Sequence, residues 1–567
     1  MKRCISMLLV LALMVGMLAG CGGGSDEPDN NGDGDSTKVD GTKVDTSTIT
    51  LTGPEKISED GAQLSIWVRS QTEVLTDYEK DLTTRWYEEK TGVHVNWTVV
   101  PNESYADRFS TTVASGQYPD IFNSYLTSAE MSMYGGEGGI FVALDDLMDK
   151  GWMPNLKAYL EENPDFEALR SADGKLYAIP STTTAPYMIY TSKVWINKEW
   201  LAIYEADGGK KPDTTEEFEA MLTYFKEHDM NGDGELNEIP MSGCQQSGWG
   251  TDPIVWLLSP FVLAIGSGNA QFLTADENGK VTWVAGTDEY REGLRWAHGL
   301  VEKGLLDEAT YTQDSGMYKA LVSDNLVGVV AGAEEDQFTD KASHDKWEAL
   351  APLEGPTGLR QAPVYSTKYS DISYSVAITT ACKDLEVAAK WLDYFFSDEG
   401  AIVGTFGFEN YNWTYSGDEA MDGTTPSIVR IADTEDNLNT RWGDRIAPVK
   451  DVSLKLNASE GDNKRLVDAA KIYEPYLTET GVPMIGWPLS TDEEARYSEV
   501  FNWVVLETYY KSFKFITGRK DSEIAGGGQT DINDDKQWKT FLEYIQNGNM
   551  LDDYIRLCEK KYLNNGQ

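Results

Sequence analysis

The chain has 567 residues, with 93 Asp and Glu against 48 Lys and Arg, for a formal charge of −45. That balance excludes nucleic acid and anionic membrane surfaces as partners, because phosphate binding needs clustered Lys and Arg. A hydrophobic content of 41% and 17 Trp argue for a globular body with two or more lobes, each with a core of its own.

Lys2 and Arg3 precede an apolar stretch from Ile5 to Ala19 that is too short to span a bilayer as a helix. Leu18-Ala19-Gly20-Cys21 looks like a bacterial lipobox, in which the Cys is lipidated and becomes the new N-terminus. An ordinary cleaved signal with an incidental Cys is the other reading, and either one exports the protein. No second apolar run of about 20 residues follows. Cys244, Cys382 and Cys558 then remain, an odd and scattered set that reads as small buried residues rather than a disulfide framework or a CxxC metal site. Gly22 to about Asp60 is rich in Gly, Ser, Thr and Asp and holds the near-repeat TKVD-G-TKVD, the composition of an extended tether.

Gln63 to Val68 reads as a first strand, followed by a helix with Leu82, Trp86 and Tyr87 beneath a charged face. Val93 to Val99 alternates as a second strand, a helix covers Tyr105 to Ala114, and Ile121-Phe122 opens a third strand. Strand, helix, strand, helix, strand is the pattern of an open parallel sheet. Ligands sit outside the carboxyl ends of such strands, which brings forward Trp67, Arg69, Asn123, Ser124 and Tyr125.

Tyr187 to Met241 contains an apolar strand, a helix and an oxygen-rich loop. Thr214 with Glu217 makes a capping box, and Phe218, Met221, Leu222 and Phe225 fall on one helical face. The helix runs into Asp229, Asn231, Asp233, Glu235 and Asn237 at alternate positions, with Gly234 at the turn. A hard cation such as Ca2+ takes six to eight oxygens, and this spacing wraps them around one point. The twelfth position of a full EF-hand loop, a bidentate Glu, is here Pro240, and Glu238 at the tenth is the substitute carboxylate. The other reading is a surface turn held by its own side-chain hydrogen bonds.

Further on, Ser375 to Thr379 reads as a strand, and Leu385 to Phe396 as a helix with Val387, Trp391, Leu392 and Phe395 on one face. Trp249, flanked by Gly248 and Gly250, is hard to explain as helix packing and is a candidate platform for an apolar ring face. Trp413 and Tyr411, in Glu409 to Trp413, are further candidates, with Asp371 and Trp442. Trp195, Trp200, Trp296, Trp391 and Trp538 lie on strand or helix patterns and read as core. The four His form no HExxH, and neither GxSxG nor a Gly-rich phosphate loop occurs. Nothing positive supports catalysis, so the chain reads as a non-enzyme.

The motifs SGQYPDIF, GKLYAIP, MIYTSKVWINKEWL, TTEEFEAML, YREGLRWAHGLVEKGLLDEATY, AAKWLDYFFSDEG, GFEN and FITG follow one another in order, ending in the tail Trp538 to Tyr554. In that order the chain resembles the carbohydrate-associated extracellular solute-binding proteins of bacterial ABC importers, over nearly everything after residue 60. It is most similar to the subgroup that binds oligosaccharides and carries a calcium loop, matched here by Asp229, Asn231, Asp233, Glu235, Asn237 and Glu238. The resemblance implies an α/β, two-lobed type II periplasmic-binding fold with a hinge and an interlobe cleft. It implies hinge crossings near Pro180, Tyr374 and Trp413. The expected division is a lipoprotein signal peptide at 1–20 and a tether at 21–60. Lobe 1 takes 61–181 and 366–412; lobe 2 takes 182–365 and 413–567, with the calcium loop 229–238.

The function implied is a lipid-anchored receptor on the outer face of the cell membrane. As a monomer, it would capture a carbohydrate and hand it to ABC permease subunits, with structural Ca2+ and with the lipid on Cys21 as its one membrane contact. The rival expectations are a peptide-binding or sensory lipoprotein of the same fold, and an extracellular enzyme acting on glycans.

Overall fold

Alternating β-branched and aromatic residues form strands wherever a helix can cover them, and the first such run carries the whole first lobe. The computed structural model describes residues 45–563 apart from 71–76, 102–103, 172, 248, 265–270, 370, 432–439, 443–449, 460, 485 and 488. The leader, Cys21 and the tether up to residue 44 lie outside the described residues, as do the side chains of Tyr125 and Asp371.

In chain order the first lobe contributes β1 (Ala62–Ser70), β2 (Val93–Pro101), β3 (Ile121–Leu126) and β4 (Ile179–Thr183). The second contributes β5 (Val194–Asn197), β6 (Ile239–Ser242), the hairpin β7 (Leu273–Ala275) and β8 (Val281–Trp283), then β9 (Val327–Ala331), β10 (Trp347–Leu350) and β11 (Ala362–Val364). The chain returns to the first lobe with β12 (Asp371–Ile378) and ends its strands with β13 (Trp413–Ser416), β14 (Ser427–Arg430) and β15 (Leu477–Glu479). The first sheet has the order β2-β1-β3-β12-β4; β1 is parallel to both neighbours, and β12 runs antiparallel to β3 and β4. The second has the order β10-β5-β9-β6. Helices pack on both sheets, the mixed α/β architecture of two layered lobes.

Each lobe has its own core. Leu64, Ile66, Val68, Phe122 and Val376 anchor the first, and Trp195, Trp200, Phe218, Met221 and Val329 the second. The first crossing falls a few residues after the expected Pro180, and the return falls before the expected Tyr374, between Val364 of the second core and Tyr369 of the first. Pro180 and Tyr374 face each other inside the first sheet, in register between β4 and β12. The backbone leaves that sheet after Thr183, and Pro186 then opens a short helix, Pro186–Ile189, as its fixed φ favours at a first helical position.

Two expected boundaries move. The second-lobe core does not resume at residue 413: Trp413, Ile428, Val452 and Leu456 form a third, small cluster with Ala401 and Phe406 of the helix Asp398–Phe406. The second core takes the chain up again only at Leu466. The tether does not reach residue 60 either. From Asp45 the chain is docked on the first lobe, with Ile49, Leu51 and Ile57 packed against its core. The amides of Thr52 and Gly53 donate to the Glu399 carboxylate at 3.1 and 2.7 Å, and those of Ile57 and Ser58 donate to the Thr91 carbonyl at 2.9 Å. Gly92 permits this approach, since a Cβ there would lie 2.1 Å from the Ser58 oxygen.

Candidate ligand site and cation loop

At the carboxyl ends of β1 and β3, Arg69 lies over the Tyr105 ring, 4.4 Å from its centroid, and the Tyr105 hydroxyl is 2.9 Å from Ser124 Oγ. Burial raises the Glu130 carboxyl above its ordinary range, against hydrogen bonds from Thr127 and the charge of Arg69. Two of the residues singled out by the strand-end rule, Arg69 and Ser124, are thus brought together around Tyr105. Trp67 lies beneath them as core: it is buried between Phe109, 6.0 Å away and stacked, and Phe122 at 5.0 Å. It borders a cavity of about 640 Å3 with Arg108 and Tyr118, but only 5% of it is exposed and its ring is spent on these aromatic partners, so the expectation that it stacks on a ligand is corrected.

Glu130 sits in the helix Ser128–Tyr134, which packs against the second lobe's 27-residue helix Thr491–Thr517. Beside that long helix the second lobe opens a cavity of about 830 Å3. Trp249 stands at its rim, 42% exposed and with a φ of 34°, in the left-handed region that costs a bulky residue energy. Gly250 explains the turn: a Cβ there would lie 2.1 Å from the Thr191 oxygen and 2.7 Å from the Ala333 nitrogen. The close backbone approach turns the indole outward. Leu506 and Tyr510, four residues apart on one helical face, are 62% and 47% exposed beside it. Tyr311 and Phe513 stack deeper in, at 5.3 Å. Asp252 is a partly buried polar group of this wall. It accepts a hydrogen bond from the Tyr509 hydroxyl and one of 2.9 Å from the Ile254 amide, and burial pushes its carboxyl up to about 6.

Two further cavities, besides the one bordered by Trp67, fit a ligand less well. One of about 710 Å3, beside the crossing at Thr184–Ile189, has no aromatic wall. One of about 410 Å3 at the lobe junction holds Tyr365, Tyr369 and Trp487, but its Asp165 is taken by Lys368 and the Tyr369 hydroxyl, both at 2.8 Å.

The remaining expected site residues lie elsewhere. Trp413 is 3% exposed, its indole N–H donating to the Gly407 carbonyl at 3.1 Å within the third cluster. Trp442 is 4% exposed, stacked on Trp391 at 6.1 Å and donating to Thr84 Oγ1 at 2.8 Å. Both are corrected from platform to core: their rings and N–H groups are spent inside. Tyr411 is partly buried against the first lobe, its hydroxyl 3.0 Å from Thr48 Oγ1. Asp371 begins β12. Sequence reasoning missed Leu506, Tyr510, Tyr509 and Asp252. The available signal was the aromatic excess Tyr509, Tyr510 and Phe513, more than one buried helical face can hold.

The helix Thr215–Glu227 forms as its cap requires, with Thr214 Oγ1 accepting from the Glu217 amide at 3.2 Å and Phe218, Met221, Leu222 and Phe225 fully buried. In the loop beyond, Asp229 accepts from the Gly232 and Gly234 amides at 2.7 and 2.9 Å, and both glycines have positive φ. Asp233 accepts from the Glu235 amide at 2.7 Å and from Asn237 Nδ2 at 3.0 Å, bonds that hold its carboxyl below the ordinary range. Among the described residues no three His, Cys, Asp or Glu side chains gather closely enough to hold a metal ion. The loop is drawn together by its own amides. Glu238 departs from that pattern: it is buried, its Oε1 accepts from the Met230 amide at 2.8 Å, and its Oε2 is buried with no hydrogen-bond partner. An orphaned carboxylate oxygen is costly unless a cation meets it, so the donor set fits a hard ion.

The family model for bacterial extracellular solute-binding proteins matches residues 70–402. The fructooligosaccharide ABC transporter substrate-binding protein FusA of Streptococcus pneumoniae is 30% identical over 421 residues, 71% of this chain and 74% of FusA. A solved structure of FusA in complex with kestose superposes with a TM-score of 0.70 at 23% identity, covering 88% of this chain and 98% of that one. One of a FusA EF-hand mutant in complex with fructo-nystose gives 0.69 at 23% identity, with the same coverage.

Proposed function

The chain belongs to the family of bacterial extracellular solute-binding proteins, and from that premise we propose that it is the receptor of an ABC importer for an oligosaccharide. The observation that carries the reading is the exposed, turned-out Trp249 over an aromatic cavity of about 830 Å3. Sugar rings present apolar CH faces that rigid aromatic faces bury at little entropic cost, and their hydroxyls need fixed acceptors. Trp249, Tyr510 and Leu506 supply the first, and Asp252 supplies an acceptor held by Tyr509. Arg69, Ser124 and Glu130 are the polar groups of the facing lobe, and closure of the lobes about the hinge would bring them to the ligand. No step of chemistry on the sugar is called for.

In the same reading Asp229, Asn231, Asp233, Glu235, Asn237 and Glu238 hold a Ca2+, which supplies positive charge to the loop and to Glu238 Oε2. The EF-hand named for FusA supports this. Cys21 carries the lipid that keeps the receptor at the outer face of the membrane, near its permease. Titration calorimetry of the soluble chain from residue 45 with kestose, longer fructooligosaccharides and other oligosaccharides, against tripeptides, tests the function. Heat from an oligosaccharide that is lost by roughly tenfold or more in Trp249→Ala is expected. Heat from peptides alone would overturn it.

A further inference from the structure

Beneath the Trp249 rim lies a lysine that neither the ligand site nor the sheets require. Lys193 is 1% exposed and immediately precedes β5. Its ammonium donates to the Tyr187 carbonyl at 2.7 Å and to the Ala333 carbonyl at 3.1 Å. Tyr187 belongs to the helix at the lobe crossing, Pro186–Ile189. Ala333 follows β9, and its amide donates to the Trp249 carbonyl at 3.3 Å. The knot is closed by backbone: the Gly332 amide donates to the Lys193 carbonyl at 3.0 Å, and Gly250 is pressed against Thr191 and Ala333. One buried cation therefore bridges the segment at the lobe crossing and the segment that presents the indole.

We propose that Lys193 is the positioning residue of the Trp249 rim, coupling its backbone to the lobe crossing. The proposal rests on the reading of Trp249 as the ligand's platform. A buried ammonium is expensive, and a buried Lys in a purely packing role is readily replaced by an apolar side chain. Here the compensation comes from two carbonyls and from the charges of Glu334 and Glu335, while burial pulls the amine down to about 7. Behind those carboxylates, Asp336 lies 3.2 Å from His344, and Arg465 lies 3.3 Å from Glu335 and 2.7 Å from Asp345. On the β5 side, Tyr473 accepts from the Val194 amide and donates to the Leu350 carbonyl, and burial keeps its hydroxyl neutral. Lys193 is thus a group whose charged form is strained by burial, so that opening of this knot is coupled to proton uptake near neutral pH, with His344 the nearby side chain to be replaced as a control.

Hydrogen exchange on the soluble chain tests this. In Lys193→Met, exchange corrected for intrinsic rates should quicken by roughly tenfold or more at Tyr187–Thr191 and Trp249–Asp252, the worth of hydrogen bonds from a charged donor. The strands β5, β9 and β10 should stay protected. In the wild type the same two segments should tighten as pH rises from 6 to 8, because opening that wets Lys193 takes up a proton; the trend should persist in His344→Gln and vanish in Lys193→Met. Should that variant fail to fold, the wild-type pH profile decides by itself. Loosening spread evenly over the second lobe, or a flat profile at both segments, would overturn the proposal. So would local loosening with kestose affinity unchanged from a wild type that binds it. A wild type that binds no oligosaccharide overturns the receptor reading and leaves the exchange result standing on its own.

Discussion

Three tryptophans that look alike in sequence differ in what surrounds them. Trp249 is held in a left-handed backbone by the close approach of Gly250 and is half-exposed, whereas Trp413 and Trp442 are buried with their N–H groups bonded to Gly407 and Thr84. Trp249→Ala should weaken oligosaccharide binding and leave the melting temperature nearly unchanged, as surface substitutions do. Trp413→Ala or Trp442→Ala should cost about 3–5 kcal/mol of stability, read by chemical denaturation. Flanking glycines made the exposure of Trp249 legible in the sequence. The other two were not, because their partners come from far along the chain, Thr84 for Trp442 above all. Asp252 adds a pH signature. Its carboxyl titrates near 3.8 when unfolded and about 6 when folded, so the folded state holds the proton more tightly. Its stabilising contribution is fully present below the unfolded value and is lost as pH rises through the folded one. Asp252→Asn is neutral throughout, so the melting temperature of the variant relative to wild type should rise between pH 4 and 7. A constant offset over that range would contradict the assignment.

At the scale of elements, local signals were reliable wherever the deciding interactions are local. The helix Thr215–Glu227 starts at its Thr214 cap and buries its four spaced apolar residues. The box differs in one detail: the Glu217 carboxylate accepts from the Asp213 amide at 3.0 Å, one residue before the cap. The loop that follows keeps its alternating oxygens, and Pro240 falls inside β6, where it cannot act as the twelfth ligand. Glu238, just before that strand, is buried with one carboxylate oxygen unpartnered, which makes it the candidate for that role, and the spacing did not show this burial. Removing Ca2+ with EDTA should therefore lower the melting temperature, and added Ca2+ should restore it. Glu238→Gln should blunt the response while leaving the chelated protein no less stable than the chelated wild type, since the orphaned oxygen loses its charge. A melting curve indifferent to EDTA would mean that the loop is held by Asp229 and Asp233 alone.

For the whole molecule, the two α/β lobes were legible because strand and helix periods alternate in the sequence, while the joints between bodies were not. The third cluster around Trp413 and Ile428 joins residues spread from Ala401 to Leu456, and no local period announces it. The N-terminal segment was hidden in the same way. Its composition from residue 22 is that of a tether, yet Ile49, Leu51 and Ile57 are spaced so that an otherwise extended strap can lay them on the first lobe. Glu399 and Thr91 then receive the strap's amides, and Tyr411 meets Thr48. The strap spans the helices Leu82–Thr91 and Asp398–Phe406, so it braces the first lobe on the side from which the third cluster departs. Three partly buried aliphatic side chains amount to on the order of 3 kcal/mol. A chain begun at residue 61 should consequently melt several degrees below one begun at residue 45, with β1 and β2 the first strands to lose hydrogen-exchange protection. Its oligosaccharide affinity should hold, because the strap touches neither the Trp249 rim nor the Ser124 cluster. Equal melting temperatures would show that the strap rests on the lobe without bracing it.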